Sequence, residues 1–390
     1  MKKKKTSGAA GGMDRKRLDE ILRVMREDIG KDKYYGGVIA VGRHGKLAFH
    51  EAIGHSDATR QRPVKKDSVF SLFSVTKALT VVLVLRAIER GQFDLTTRIS
   101  DLVPEFSGRG REKIEIHHLL THSSGLPSVY SPREGMYIDV LDDVVAEICK
   151  NIFPQDPPGQ FVRYAPICHH ALMGDALRRT DPKKRSFREI CVEELLKPLR
   201  MKDTAIGLRK DLRKRHLVPA FRGNSPTQHL GHSNLGINGA FEEEFAEMPW
   251  VGGVSTVADM YRFAEMLRRE GELDGARILS PTMVRRAHRC WTGDKPNELY
   301  RKIFENRGWE VLPACIGLGF SLRGDRMGHA LFGTLTSPET FGNHGAGTTL
   351  FWVDPELDMT FVGLTTGVMN SDVNIERWQR LSDIAVTAAA

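Results

Sequence analysis

Apolar positions recur with helical spacing over residues 14–30, where Leu18, Ile21, Leu22, Val24, Met25 and Ile29 fall on or near one stripe, so the pattern predicts an amphipathic helix. The period then changes. Gly36–Val41 and Leu47–Ala52 are strand candidates, and Arg43-His44-Gly45-Lys46 between them supplies a turn, which predicts a β-hairpin. Residues 55–70 read as a polar loop. A second helix opens around Ser71–Thr80 and runs through Val81–Ile88 to Gly91, a residue suited to the position just past a helix C-terminus. It is apolar on nearly every face, so it is expected inside the protein. Helices are predicted over 139–151, 168–179 and 257–269, the last capped by Ser255 or Thr256, and another starts at Ser280-Pro281. Between them lie charged, mostly helical sequence to about 216, a Gly/Asn-rich loop over Gly223–Gly239, a hairpin-like stretch over Gly271–Leu279 and a loop-rich region to Pro313. From Ile316 the strand period returns, with candidates over 316–323, 328–332, 348–354 and 358–365, and a helix over 371–387 closes the chain. There are no internal repeats. The two strand-rich ends are expected to form one antiparallel sheet flanked by the terminal helices, with the helical middle as a second lobe. The expectation is an α+β unit over 13–390, its sheet lobe built from about 13–70 and 315–390 and its helical lobe from about 71–314. Residues 1–12 read as a disordered tail.

Composition alters this picture little. A chain of 390 residues with 41% hydrophobic and 27% charged residues is ordinary for a globular protein with a large core. Lys2–Lys5 supply four of the net +8 charges, so half of the excess sits in the tail, and neither nucleic-acid nor membrane binding is expected. Residues 6–12 are too small and polar for a signal-peptide core, and the longest apolar run, Val81–Leu85, is broken by Arg86. Cys149, Cys168, Cys191, Cys290 and Cys315 are odd in number and scattered, which fits reduced thiols better than disulfides or a zinc site. These features together predict a cytoplasmic protein. Oligomeric state is left open.

Chemistry enters at the buried helix. Ser74 and Lys77 are three positions apart, hence neighbours on one face one turn apart. A lysine on an apolar element costs desolvation energy unless it has a partner or a task, and an amine beside a hydroxyl lowers the cost of removing the hydroxyl proton. The free N–H groups of the helix start also favour developing negative charge. The four-residue pattern alone serves equally well as a helix cap with a snorkelling lysine. His117, His118 and His122 invite a metal reading, but no acidic or cysteine partner completes a ligand spacing, so His122 and Ser123 are expected to cap and brace loops. The loop over 128–138, with Tyr130 and Tyr137, is a candidate pocket wall.

Six ordered blocks carry a resemblance: Phe73-Ser74-Val75-Thr76-Lys77, Leu119–Leu126, Pro158-Gly159 leading to Tyr164, Gly252–Thr256, Gly317–Phe320, and Gly345-Ala346-Gly347 ahead of Val353-Asp354-Pro355. Over roughly residues 30–370 the chain resembles the serine β-lactamase-related family of class C β-lactamases, DD-peptidases, esterases and transacylases. The resemblance implies a β-lactamase/transpeptidase-like fold with Ser74 as acylated nucleophile, Lys77 as proton partner and Tyr164 as second base or shuttle, a phenol that a neighbouring ammonium would bias toward phenolate. Without it, Tyr164 reads as an ordinary loop tyrosine. The third motif corresponds to Asn343-His344-Gly345, with Asn343 or, one register on, His344 at the usual Lys position. The backbone N–H of Ser74 and that of the strand just after this motif, at Ala346, would form the oxyanion hole. Two departures matter. Pro166 stands where the family carries an amide side chain, and the third motif lacks Lys, the usual partner of a substrate carboxylate. Both losses point away from β-lactams and D-Ala-D-Ala peptides toward a small-molecule ester or acyl substrate. The expectation is therefore a serine hydrolase of carboxylic esters, with transacylation as a variant outcome. The alternatives are a β-lactamase or D-amino-acid peptidase or amidase and, less favoured, a non-catalytic binding protein. No metal or organic cofactor is expected, because the nucleophile needs none.

Overall fold

Strand pairing joins the two ends of the chain, as the change of period at each end predicts. The computed structural model describes residues 10–217, 219–220 and 243–389, so the Gly223–Gly239 loop reading and the first nine residues of the tail lie outside it. Strands β1 (Gly36–Arg43), β2 (Lys46–Gly54), β3 (Ser321–Leu322), β4 (Phe341–Gly345), β5 (Thr349–Asp354) and β6 (Met359–Thr366) form one antiparallel sheet in the order β2-β1-β6-β5-β4-β3. Its backbone is the N-terminal β1 paired with the C-terminal β6 from Gly36↔Thr366 to Arg43↔Met359.

Both faces of this sheet are covered. On one, Ile39, Val41, Leu350, Trp352 and Phe361 pack with helices α1 (Arg15–Gly30) and, in chain order below, α5 (Ser371–Thr387), through Leu18, Ile21, Trp378 and Leu381. On the other, Val38, Ala40, Phe341, Phe351 and Val353 join the core of the helical region. Strands buried on both faces read as continuous apolar runs, which is why β5 and β6 stand out in the sequence. The terminal helices are clasped together: Asp14 N donates to Ala388 O at 2.8 Å, and buried Asp28 of α1 pairs with Lys33 (3.0 Å) and with Arg380 of α5.

Helix α2 (Thr76–Glu89) is buried from Thr76 to Leu85, as its all-round apolar pattern predicts. Helices α3 (Cys168–Thr180) and α4 (Val257–Arg268) follow, and Thr256 caps α4 by accepting from Asp259 N at 3.2 Å. The structure moves one lobe boundary. Helix α4 lies in the middle of the sequence yet packs on the sheet, with Phe263 edge-on to Phe351 at 5.6 Å and Thr360 Oγ1 donating to Glu265 Oε1 at 2.5 Å.

Other expectations need correction. The strand predicted over 316–323 shrinks to Ser321–Leu322 plus an isolated bridge from Ile316, because Gly317 and Gly319 break the run. Residues 328–332 form no strand; this segment hangs on α5 instead, where Ala330 N donates to Gln379 Oε1 at 3.1 Å. Strand β4, rich in glycine and polar residues, has no apolar signal and was not anticipated by pattern. Val69–Ser71, inside the predicted polar loop, is a strand of a second, four-stranded sheet. Ala10–Gly12 forms a turn in which a β-carbon on Gly11 would lie 2.6 Å from Arg43 O, so the tail reading does not reach residue 12. Among the described residues no helix is long and apolar enough to cross a membrane.

Candidate active site

The strand Val69–Ser71 runs into a sharp corner. Phe73 takes φ of 50°, a left-handed conformation that strains a residue with a β-carbon, and Ser74 follows in the single 3-10 turn Phe73–Val75 ahead of α2. One turn on, Lys77 Nζ donates to Ser74 Oγ at 3.0 Å and to Trp250 O at 2.8 Å. The same helix grips the 249–253 segment twice more, with Gly253 N donating to Thr76 Oγ1 (2.9 Å) and Thr80 Oγ1 to Pro249 O (2.7 Å). Lys77 is 3% exposed. Burial pushes its ammonium well below the usual lysine range, and no carboxylate offsets it.

Tyr164 OH lies 2.7 Å from Ser74 Oγ. Its loop is clamped by main-chain bonds to the Leu119–Leu126 block: Gln155 N to Gly125 O (2.8 Å), Gly159 N to Ser123 O (2.7 Å) and Arg163 N to His122 O (2.8 Å). Gly125, at φ of 77°, is required here, since a β-carbon would come within 2.0 Å of Asp156 O. Burial raises the Tyr164 phenol far above its ordinary value, against the bond from Ser74. Burial thus works against the charged form of both groups, the ammonium as well as the expected phenolate.

The third wall is β4. A β-carbon on Gly345 would lie 2.5 Å from Leu72 O and 2.9 Å from Ser74 N, so only glycine lets this strand meet the Ser74 turn. Asn343 is two residues away, hence on the same face as Gly345, and its Nδ2 donates to Gly319 O at 3.2 Å. His344 faces Tyr300, whose hydroxyl is 3.0 Å from Nε2, and burial pushes the imidazole down to about 4. Ala346 takes φ of 31° in the turn after the strand.

These groups converge on a cavity of about 180 Å³, with Leu299, Ile303, Ile316, Phe320 and Leu331 as apolar walls. Asn343, His344 and Ala346 line it, while Gly345 lies behind, against the nucleophile turn. Lys77 is the one lysine or arginine among the described lining residues, and Pro166 lies in the wall. Tyr130 also lines it, whereas Tyr137 points outward at 59% exposure, so one of the two predicted loop tyrosines reaches the site.

Pattern reasoning missed Tyr300, in the loop-rich region before an unpredicted helix over Arg301–Arg307, and assigned His122 to loop bracing alone. His122 in fact lines the cavity, its ring centre 5.3 Å from that of Tyr164. The His117–His118 pair does find an acid, Glu115, which the spacing argument overlooked. Their bonds are nonetheless internal: His117 Nε2 is 2.9 Å from Glu115 Oε2, and His118 Nδ1 accepts from Glu115 N at 3.1 Å. That acceptor role fixes the neutral His118 as the Nε2–H tautomer, leaving no lone pair for a metal. All five cysteines are free thiols, and the fold brings Cys290 and Cys315 into hydrogen-bonding contact.

Residues 21–385 match the family model described as Beta-lactamase. The Esterase/beta-lactamase LipL of Mycobacterium tuberculosis (strain ATCC 25618 / H37Rv) is 25% identical over 354 residues, covering 84% of this chain and 76% of that protein. The crystal structure of a family VIII carboxylesterase superposes with a TM-score of 0.77 at 20% identity, over 95% of this chain and 97% of that one. EstCE1, described as a hydrolase with promiscuous acyltransferase activity, superposes with a TM-score of 0.75 at 18% identity, over 94% and 98% of the two chains.

Proposed function

The chain belongs to the beta-lactamase family, and from that premise we propose that it hydrolyses small, uncharged carboxylic esters through an acyl-enzyme on Ser74. One observation carries the reading: Ser74 Oγ lies between Lys77 Nζ (3.0 Å) and Tyr164 OH (2.7 Å) in a cavity where, among the described residues, no lysine or arginine besides Lys77 is available to a substrate carboxylate. Neutral Lys77 takes the Ser74 proton as Oγ attacks the ester carbonyl. The oxyanion is assigned to the backbone N–H groups of Ser74 and of Ala346, a pairing supported by the close approach of Gly345 to Ser74 N. As the tetrahedral intermediate collapses, Tyr164 gives its proton to the departing alkoxide and recovers one from Lys77. Water then repeats the sequence in reverse, its proton returning through the same pair to Ser74 Oγ. An alcohol in place of water gives transacylation, and the promiscuous acyltransferase activity of EstCE1 supports that variant. The names of LipL and of the family VIII carboxylesterase support ester cleavage. A cytoplasmic location completes the proposal.

The test is a burst-phase assay with p-nitrophenyl acetate and butyrate beside nitrocefin, on wild type and Ser74→Ala. A stoichiometric burst, lost in the variant together with at least about a thousandfold of turnover, and slow nitrocefin cleavage are expected. Fast nitrocefin cleavage would replace the esterase by the β-lactamase reading, and activity surviving in Ser74→Ala would overturn the site.

A further inference from the structure

Behind Tyr164 a short chain of polar groups runs into the cavity wall. His122 Nδ1 is 2.9 Å from His169 Nδ1, and His169 Nε2 is 2.6 Å from Ser124 Oγ, which also accepts from Leu126 N at 3.1 Å. His169 and Ser124 are buried, at 0% and 1% exposure. Such a chain has two possible directions, and the hydroxyl decides between them. If Ser124 accepted from His169, its own hydrogen would have no acceptor among the described residues, a buried unsatisfied donor costing about 1–3 kcal/mol. With Ser124 donating to His169 Nε2, every group is satisfied: His169 carries its proton on Nδ1 and donates to His122 Nδ1, so the neutral His122 carries its proton on Nε2. The cation is disfavoured, since burial holds His122 down to about 3. With Nδ1 committed to His169, the opposite edge of the ring, Nε2–H, is the one available to the cavity that His122 lines.

A second observation marks the same wall as built for a polar ligand. His170 lines the cavity with its ring centre 6.1 Å from that of His122, is 2% exposed, and has no hydrogen-bond partner among the described residues for either ring nitrogen. The neighbouring Pro166 offers no donor.

We propose that His122 presents a tautomer-fixed Nε2–H to bound substrate and holds an ester oxygen beyond the reacting carbonyl, making this a site for alkoxy- or oxo-substituted esters. The substrate half of this statement rests on the esterase reading; the tautomer half does not. Ser124 and His169 act through His122 as positioning residues.

Two measurements test it. Long-range 1H–15N correlation spectra of histidine-labelled protein are expected to show His122 as Nε2–H and His169 as Nδ1–H at pH 7, assigned with His122→Gln and His169→Gln. A His122 Nδ1–H tautomer would overturn the proposal. In the kinetic arm, kcat/KM is compared for isosteric pairs: p-nitrophenyl methoxyacetate against butyrate for an acyl-side oxygen, and 2-methoxyethyl butyrate against butyl butyrate for an alcohol-side oxygen. The oxygen-bearing member of one pair should lose about tenfold of its relative rate in His122→Leu, the worth of one net hydrogen bond, and keep it in His122→Gln. Thermal melts accompany both variants, because the His122 carbonyl also holds Arg163. Turnover of all four esters with neither preference dependent on His122 would sink this inference alone. No turnover of any ester would sink the esterase reading, and the substrate half with it.

Discussion

Ser74 Oγ has an amine on one side and a phenol on the other, and in the proposed mechanism burial decides which of them removes its proton. Lys77 is active as a base only when deprotonated, so kcat/KM should rise with pH through its pKa and then level off. Because burial lowers that pKa, the rising limb should lie well below 10.5. The Tyr164 phenol is raised, so it stays protonated as a donor across the working range. Tyr164→Phe should therefore cost about 10²–10³ in kcat while leaving the limb where it is. A limb above pH 10 that vanishes in this variant would instead make the phenolate the base. Gly345 gives a second residue-level prediction. The β-carbon of Gly345→Ala would strike Leu72 O and the Ser74 backbone, so strand β4 must back away from the nucleophile. About 1–3 kcal/mol of stability is expected to go, with kcat falling more than KM rises; denaturant melts and steady-state kinetics separate the two.

At the scale of elements, the site is the meeting of α2 with the 249–253 segment and β4. Thr80→Val removes the bond to Pro249 O and loosens the segment whose Trp250 carbonyl holds Lys77. A loss of about 1 kcal/mol is expected, together with a slower acylation burst; an unchanged burst would show that Lys77 is placed without this anchor. The same elements explain what the sequence discloses. Helix α2 is buried from Thr76 to Leu85 and strands β5 and β6 on both faces, so largely apolar stretches mark them. Ser74 and Lys77 are legible because one helical turn fixes their relation. Tyr164 was reached by resemblance alone, since the ladder that aims it runs through main-chain atoms of residues 122–125 and leaves no side-chain pattern. Strand β4 escaped notice for a related reason. Close approach to the nucleophile demands Gly345, and glycine erases the alternation by which strands are recognised. Tyr300 and the His122–His169–Ser124 chain are assembled only by tertiary contact.

For the whole molecule, histidines held neutral by desolvation set the acid side of stability. Burial holds His122 down to about 3 and His216 and His344 to about 4, against an ordinary value of 6.5. Below pH 6.5 the unfolded chain takes up protons that the folded one refuses, so this stability is present above 6.5 and is lost as pH falls toward 4. Melting temperature should be flat from pH 8 to 7 and drop steeply between 6 and 4.5; a flat acid side would mean that these rings are hydrated in solution. The sheet adds a consequence of another kind. Thr349 Oγ1 bonds Leu72 O at 2.8 Å, so the corner that carries the nucleophile is braced by a residue 277 positions later in the chain. Strand β1, near the start, finds its inner partner in β6, near the end. Synthesis must therefore run through β4 and β5 before Ser74 has its third wall. Nascent chains stay inert however well their helices form, and two separately expressed halves, cut between α3 and α4, should regain activity only on mixing.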